Sequence, residues 1–349
     1  MQTRFEEIQN IHNENDKAVL SQAGKIIRDG GLVVFPTETV YGLGANALDA
    51  TAASKIYAAK GRPSDNPLII HIADPSEADA LTQTSPLYYR LARAFMPGPI
   101  TVIMPKKACV PNTVTANLET VAIRCPAHPV ARALIESAQV PIAAPSANLS
   151  GSPSPTNAAH VKEDMDGRAD MILDGGSCEF GVESTIVKIE DDKTVLLLRP
   201  GAVTKEDLEA IGVTVKVASA VLGALKEGEK VLSPGMKYRH YAPQAPLYLL
   251  QGTEKEREKF LAEQKGKIAM LCYEEDMAAL SALPISLYCI GKKTDLKTQA
   301  NRLFTVLRNA DKENFDAIYA PLPSVDGIGM ALYNRMIRAA AHQIITLNA

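Results

Sequence analysis

The sequence predicts an α/β protein of two domains, a sheet domain followed by a smaller domain built on a parallel sheet. Three observations carry this expectation. The length of 349 residues exceeds what one hydrophobic core usually organises. Short strand-like apolar runs alternate with segments of helical period along most of the chain. Near residues 212–245 that alternation fades into a stretch punctuated by Ser233-Pro234-Gly235 and Ala242-Pro243. The expected division is therefore a first domain over residues 1–211, a linker over 212–245 and a second domain over 246–349.

In chain order, Ala18, Val19, Ala23, Ile26 and Ile27 recur at helical spacing and Gly30-Gly31 supplies a stop, which predicts a helix over 15–29. Strands are expected at residues 32–35, 67–72, 100–104, 121–124, 141–144, 171–174, 185–189 and 195–199. Helices at 49–60, with Asp49 as N-cap, and at 128–138 fall between them, and a short one at 204–211 ends the domain. Beyond residue 245, strands at 247–250, 267–272, 285–290 and 315–320 alternate with helices at 254–264, 295–309 and 329–340. Such βαβ order joins parallel strands by helical crossovers, a small Rossmann-like arrangement.

Composition bounds the function. Apolar residues make up 46% and charged residues 22% of the chain, near globular averages. The formal net charge of -3 has the wrong sign for a protein that lives on nucleic-acid phosphates, so any cationic surface must be local. The five cysteines are scattered without a C-x-x-C pair, which suggests neither a disulfide framework nor a zinc site. Arg4, Glu6, Glu7, Glu14, Asp16 and Lys17 leave no apolar core for a secretory signal, and no run of about 18 apolar residues occurs. A soluble, cytoplasmic protein without membrane contact is expected.

Several short segments carry chemistry. Thr37, Glu38 and Thr39 place hydroxyls and a carboxylate at a strand end, a usual place for a ligand, although taken alone they also read as turn formers. The following Gly42-x-Gly44-x-x-Ala47 mimics a dinucleotide fingerprint, but the segment from Pro36 to Tyr41 intervenes where a strand should run almost straight into the first glycine. Lys60-Gly61-Arg62-Pro63 sets two cations to point one way if extended about Gly61, as a polyphosphate requires; its plain alternative is complementing a helix dipole. His71 in an apolar strand, taken alone, reads more often as a hydrogen-bonded core histidine than as a catalyst, and Arg124 at a strand end as a carboxylate grip or a surface ion pair. Ser146 and Asn148 lack the G-x-S-x-G context of a nucleophile and suit hydrogen bonding. Glu183-Ser184-Thr185 and Arg199-Pro200-Gly201 complete the set. No Walker A, kinase or H-E-x-x-H pattern occurs. Lys60, Arg62, His71, Arg124 and Arg199, all at loop or strand ends, point to a concave site for anionic small molecules.

Pro36-Thr37-Glu38-Thr39-Val40-Tyr41-Gly42-Leu43, Lys60-x-Arg62-Pro63, Asn66-Pro67-Leu68 and Ser146-x-Asn148 together resemble the YrdC-domain family over residues 15–205. Ser233-Pro234-Gly235-Met236-Lys237-Tyr238-Arg239-His240-Tyr241-Ala242-Pro243 looks like the linker of its long form, which adds a C-terminal domain. The resemblance implies a twisted mixed sheet in the first domain and a family activity: condensing L-threonine, bicarbonate or CO2 and ATP into threonylcarbamoyl-AMP. Pyrophosphate leaves, and the product serves threonylcarbamoyladenosine modification of tRNA through a downstream threonylcarbamoyl transferase complex. It implies that Thr39, His71, Arg124, Ala144 and Ser184 contact threonine or its carbamate. It also implies that Lys60, Arg62, Asn66, Thr120, Ser146, Ser154, Arg199 and Tyr238 contact ATP, with Asn148 supporting the Ser146 loop and Tyr238 arriving on a linker that acts as a lid. Lys60 and Arg62 are expected to carry the catalytic work, and Mg²⁺ to arrive with ATP on ligands left open. Two other classes are weighed: an RNA-binding module, which the overall acidity disfavours while leaving weak RNA contact open, and a nicotinamide-dependent oxidoreductase.

Overall fold

Local chemistry sets the helix limits. Asn13 caps the helix Glu14–Arg28 by accepting from the Asp16 amide, with acids in its first turn and Lys25 and Arg28 in its last. Asp49 caps Ala50–Lys60, and Gly61, left-handed at φ 62°, ends it. Asp295 caps Leu296–Asp311 in the same way. The computed structural model describes residues 2–223 and 240–347, so Tyr238, expected from sequence to reach ATP, lies outside the described residues together with the middle of the linker.

Strands β1 (Arg4–Glu7), β2 (Val33–Phe35), β3 (Gly42–Asn46), β4 (Ile69–His71), β5 (Ile100–Pro105), β6 (Thr120–Arg124), β7 (Ile142–Ala144), β8 (Met171–Asp174), β9 (Thr185–Ile189), β10 (Thr194–Arg199) and β11 (Thr214–Val217) form the first sheet. It is mixed, in the order β1-β8-β2-β3-β7-β4-β6-β5-β9-β10-β11. The central strands β2, β4 and β7 are buried along their whole length, which is why they read as unbroken apolar runs. β4 lies between antiparallel β7 and parallel β6, in a register that sets His71 opposite Arg124 on one side and Ile142 on the other. Two of the sequence-predicted site residues thus leave the sheet side by side.

The glycine-rich segment is itself a strand. β3 pairs antiparallel with both β2 and β7, and a Cβ on Gly44 would lie 2.7 Å from Ile142 Cγ2 and 2.9 Å from Phe35 Cε1. Its glycines admit neighbouring strands, whereas a dinucleotide fingerprint needs a turn into a helix. Residues 212–222 likewise depart from the expected irregular linker: β11 adds in parallel to β10 and the short helix Ser219–Leu222 follows. β11 escapes a pattern search because it is a four-residue edge strand with no fully buried position. β1, equally short and polar, was missed for the same reason.

The second sheet comprises β12 (Leu247–Gln251), β13 (Ile268–Cys272), β14 (Ser286–Cys289), β15 (Ala317–Pro321) and β16 (Ile344–Thr346). Its order is β14-β13-β15-β12-β16 and every pair is parallel, as the βαβ alternation demands. Among the described residues no helix is long and apolar enough to cross a membrane.

The sheets are joined by packed contacts. Val40, Val182 and Tyr241 belong to the same apolar cluster as Phe304, Leu307 and Met336 of the second domain. Arg308 of the Leu296–Asp311 helix donates to Asp164 Oδ2 at 2.5 Å and to the Pro153 carbonyl at 2.6 Å, both out of water. Gly181, at φ 71°, lets the same helix approach so closely that a Cβ there would sit 2.4 Å from Asn301 Cα. Gly181→Ala is therefore expected to cost about 1–3 kcal/mol through overpacking alone, with left-handed strain added. Urea unfolding reads this directly, and a variant as stable as the parent would contradict the contact.

Candidate active site

The strand ends and their loops open on one cleft of about 690 Å³, counting the space open to solvent. Lys60, Arg62, His71, Arg124, Ala144, Ser146, Asn148 and Arg199, eight of the residues singled out in the sequence, line it. They come from five separate places along the chain, so only the fold brings them together.

Each cation is fixed on one side. Arg62 donates from Nε to the Asn66 carbonyl at 3.2 Å and from Nη2 to the Pro67 carbonyl at 3.0 Å. Arg199 donates from Nε to the Ser184 carbonyl at 3.0 Å and from Nη2 to its hydroxyl at 3.1 Å. Arg124 pairs with Glu38 at 2.7 Å, both side chains buried, while Glu38 also accepts from the Ala127 amide at 3.1 Å. In each guanidinium Nη1 has no partner among the described residues, and such a planar fork suits an oxyanion. Lys60 differs: its ammonium donates to the Ser146 and Asn148 carbonyls and to Asn148 Oδ1 at 3.4 Å. It holds the loop on which Ser146 Oγ donates to Asn148 Oδ1 at 2.5 Å.

The remaining expected residues stand outside the lining. Thr39 is fully buried with its hydroxyl 2.9 Å from that of Thr37. Ser184 bonds Thr101 Oγ1 at 2.8 Å and anchors Arg199, and Ser154 donates to Glu183 at 2.5 Å. Asn66 presents its backbone to Arg62 while its Oδ1 is buried without a partner among the described residues. Thr120 begins β6, at the opposite end of that strand from Arg124. Four of these lie one layer behind the cleft or beside its cations, and Thr120 lies further along the same strand pair.

Electrostatics follow from burial. Desolvation lowers the Arg62 and Arg199 pKa values to about 10 and pulls Lys60 well below its usual value, with Arg62 adding repulsion to Lys60. Positive charge taken out of water in this way gains most from an anion. His71 is brought to about 3 by burial and then by Arg124, and its Nδ1 lies 3.1 Å from the Ile69 carbonyl. It is neutral at physiological pH.

Sequence reasoning missed the contribution of the second domain. Burial pushes the Glu183 carboxyl up, but Arg335 and then Arg199 more than offset this and hold it below the usual value. Arg335, fully buried on the Gly329–Ala339 helix, donates to Glu183 Oε2 at 2.8 Å and to the Pro200 carbonyl at 2.7 Å. It ties the Glu183-Ser184-Thr185 and Arg199-Pro200-Gly201 segments to each other. An arginine in a helix has no sequence signature that reveals such a partner. His240 and Tyr241 also reach the lining, where Tyr241 stacks on Phe304 at 5.2 Å, so the end of the linker is docked in the cleft.

Residues 25–201 match the Sua5/YciO/YrdC family model, described as telomere recombination, and residues 203–341 match the model described as threonylcarbamoyl-AMP synthase, C-terminal domain. The chain is 45% identical over 346 residues to the threonylcarbamoyl-AMP synthase of Bacillus subtilis, covering 98% of both. To that of Pyrococcus abyssi it is 41% identical over 347 residues, covering 96% of this chain and 98% of the other. The crystal structure of P. abyssi Sua5 complexed with L-threonine is similar at a TM-score of 0.88 and 39% identity, covering 100% of both chains.

A pH dependence follows from His71. Its folded pKa of about 3 lies below that of an unfolded histidine, so its stabilising contribution is complete above about pH 6.5 and is lost as pH falls. The loss approaches about 1.4 kcal/mol per pH unit. Denaturation at several pH values should show His71→Phe flattening the slope between pH 6.5 and 5 by about that amount; an unchanged slope would mean His71 is not held neutral.

Proposed function

The chain belongs to the Sua5/YciO/YrdC family, and from that membership we propose that it condenses L-threonine, bicarbonate and ATP into threonylcarbamoyl-AMP with release of pyrophosphate. The observation that carries this reading at the level of the site is the meeting of Lys60, Arg62, Arg124 and Arg199 in one largely desolvated cleft. Two anionic substrates, one with a carboxylate and one with a triphosphate, match that chemistry.

In this reading the threonine amine captures CO2 derived from bicarbonate as a carbamate. A carbamate oxygen then attacks the α-phosphorus of ATP, a bond to phosphorus forms, the bond to the bridging oxygen breaks and pyrophosphate departs. The step transfers an adenylyl group, which makes the enzyme a nucleotidyltransferase. Arg124, held by Glu38, grips the threonine carboxylate beside neutral His71 and the small Ala144. Arg62 and Arg199 take the phosphates on their open edges. Lys60 braces the Ser146–Asn148 turn and adds charge behind it. Catalysis rests on positioning and electrostatic stabilisation.

Mg²⁺ enters with the nucleotide. Among the described residues no group of three or more His, Cys, Asp or Glu side chains could hold a metal ion, and the cleft carboxylate Glu183 is engaged by Arg335 and Ser154. Phosphate oxygens and water would supply most of its coordination, because Mg²⁺ keeps several waters when it binds with a nucleotide. The product serves tRNA modification in the cytoplasm, passing to a downstream threonylcarbamoyl transferase.

Arg62→Ala is expected to slow pyrophosphate release by about two orders of magnitude, and Lys60→Ala to do so by loosening the Ser146 turn. Turnover dependent on both threonine and bicarbonate, with an adduct of the expected mass, tests the reaction; near parental rates in Arg62→Ala would remove the assignment. Serine differs by one methyl, worth about 1–3 kcal/mol, so it should be a poor but detectable substrate. Equal kcat/KM for the two amino acids would show that no pocket reads the methyl group.

A further inference from the structure

The helix Gly329–Ala339 of the second domain meets the end of the short helix Ser219–Leu222, where carbonyls are left over from the helical ladder. Arg338 Nη2 donates to the Ala220 carbonyl at 2.8 Å, Asn334 Nδ2 to that of Val221 at 2.8 Å and the Tyr333 hydroxyl to that of Leu222 at 3.3 Å. The short helix is itself fixed to the first sheet. Its Ala220 packs with Ile186 of β9 and Leu198 of β10, and Ala218, just before it, donates to the Leu197 carbonyl at 3.0 Å. The strand that ends in Arg199 is therefore covered by the segment that the second domain clasps.

Asn334 also reaches Arg335. Neighbours in a helix stand about 100° apart and seldom face each other. Here the guanidinium turns back along its own helix, and Nη1 donates both of its hydrogens, to the Pro200 carbonyl at 2.7 Å and to Asn334 Oδ1 at 3.1 Å. Asn334 is 3% exposed, and its buried amide is held between two fixed partners, with Arg335 on its oxygen and Val221 on its nitrogen. It orients a guanidinium that holds both the carboxylate and the carbonyl of Glu183. From Glu183 the contacts continue to Ser184, whose carbonyl and hydroxyl take two donors of Arg199.

Taking Arg199 as a phosphate ligand, as in the reading above, we propose that Asn334 is a positioning residue for the nucleotide half of the cleft. It sets the Arg335 guanidinium, which in turn fixes the segments that present Arg199. Arg124 is paired with Glu38 and belongs to a different set of bonds, so the amino-acid half stands apart from this route.

Steady-state kinetics on the full chain separate the two halves. Asn334→Ala should raise KM for ATP by about tenfold, as expected when one hydrogen bond to a charged group is lost, and leave KM for threonine within about twofold of the parent. KM does not depend on how much of the enzyme is folded, so a merely destabilised variant would lose rate with both values unchanged. Asn334→Ser, too short to bridge Val221 and Arg335, should behave alike and serves if Asn334→Ala folds poorly. Tyr333→Phe removes a bond to the same short helix but none to Arg335, and should keep both KM values. Asn334→Ala combined with Arg335→Lys should raise KM for ATP no further than Arg335→Lys alone. Unchanged KM for ATP in both Asn334 variants, or equal rises for both substrates, would overturn the role of Asn334. An equal effect of Tyr333→Phe, or additive effects in the double variant, would overturn the route through Arg335. A rise confined to threonine would instead overturn Arg199 as a phosphate ligand.

Discussion

Lys60 and Arg199 lie out of water and Arg62 is half-buried, all with their pKa values pulled down by burial, and the architecture of the first domain answers that cost. Backbone carbonyls and a hydroxyl take one edge of Arg62 and Arg199, and a carboxylate takes Arg124. The acceptors sit at strand ends, where carbonyls are released from the sheet ladder. A mixed sheet suits this arrangement, because antiparallel β7 beside parallel β4 and β6 gathers segments far apart in sequence onto one edge. Partial satisfaction keeps the charges in place and leaves part of each guanidinium without a partner among the described residues.

The second domain takes part in the same balance. Glu183 would be an unpaired buried carboxylate without Arg335, and breaking such a pair typically costs about 3–5 kcal/mol. Through Pro200 and Glu183 one guanidinium supports the segments that present Ser184 and Arg199. Together with Arg308 on Asp164 and Tyr241 on Phe304, it makes the interface between the sheets polar at its fixed points and apolar around them.

Much of this was legible in the sequence. Buried strands such as β8 and β9 declare themselves by apolar runs, and helices by Asn, Asp and Thr caps. The short edge strands β1 and β11 did not, because half-covered strands of four residues carry too few apolar positions to show a period. The glycines of β3 imitate a turn because sequence alone does not distinguish a glycine needed for positive φ from one needed for close strand approach. At the site, motif resemblance found the residues that line the cleft. It also gathered Thr39, Ser154 and Ser184, whose hydroxyls bond to neighbouring side chains behind the lining. Arg335 was invisible, since long-range pairing leaves no local pattern.

The dependence of Glu183 on Arg335 also has a meaning for how the protein is made. Arg335 follows Glu183 by 152 residues, and translation proceeds from the N-terminal side. Before the helix Gly329–Ala339 is made, the first domain can assemble its sheet but holds at the wall of its cleft an acid left with only the Ser154 hydroxyl and the nearby Arg199 charge. Completion of the pocket therefore waits for the helix that carries Arg335, and a product terminated before that helix carries the cleft arginines without the brace that sets two of their supporting segments.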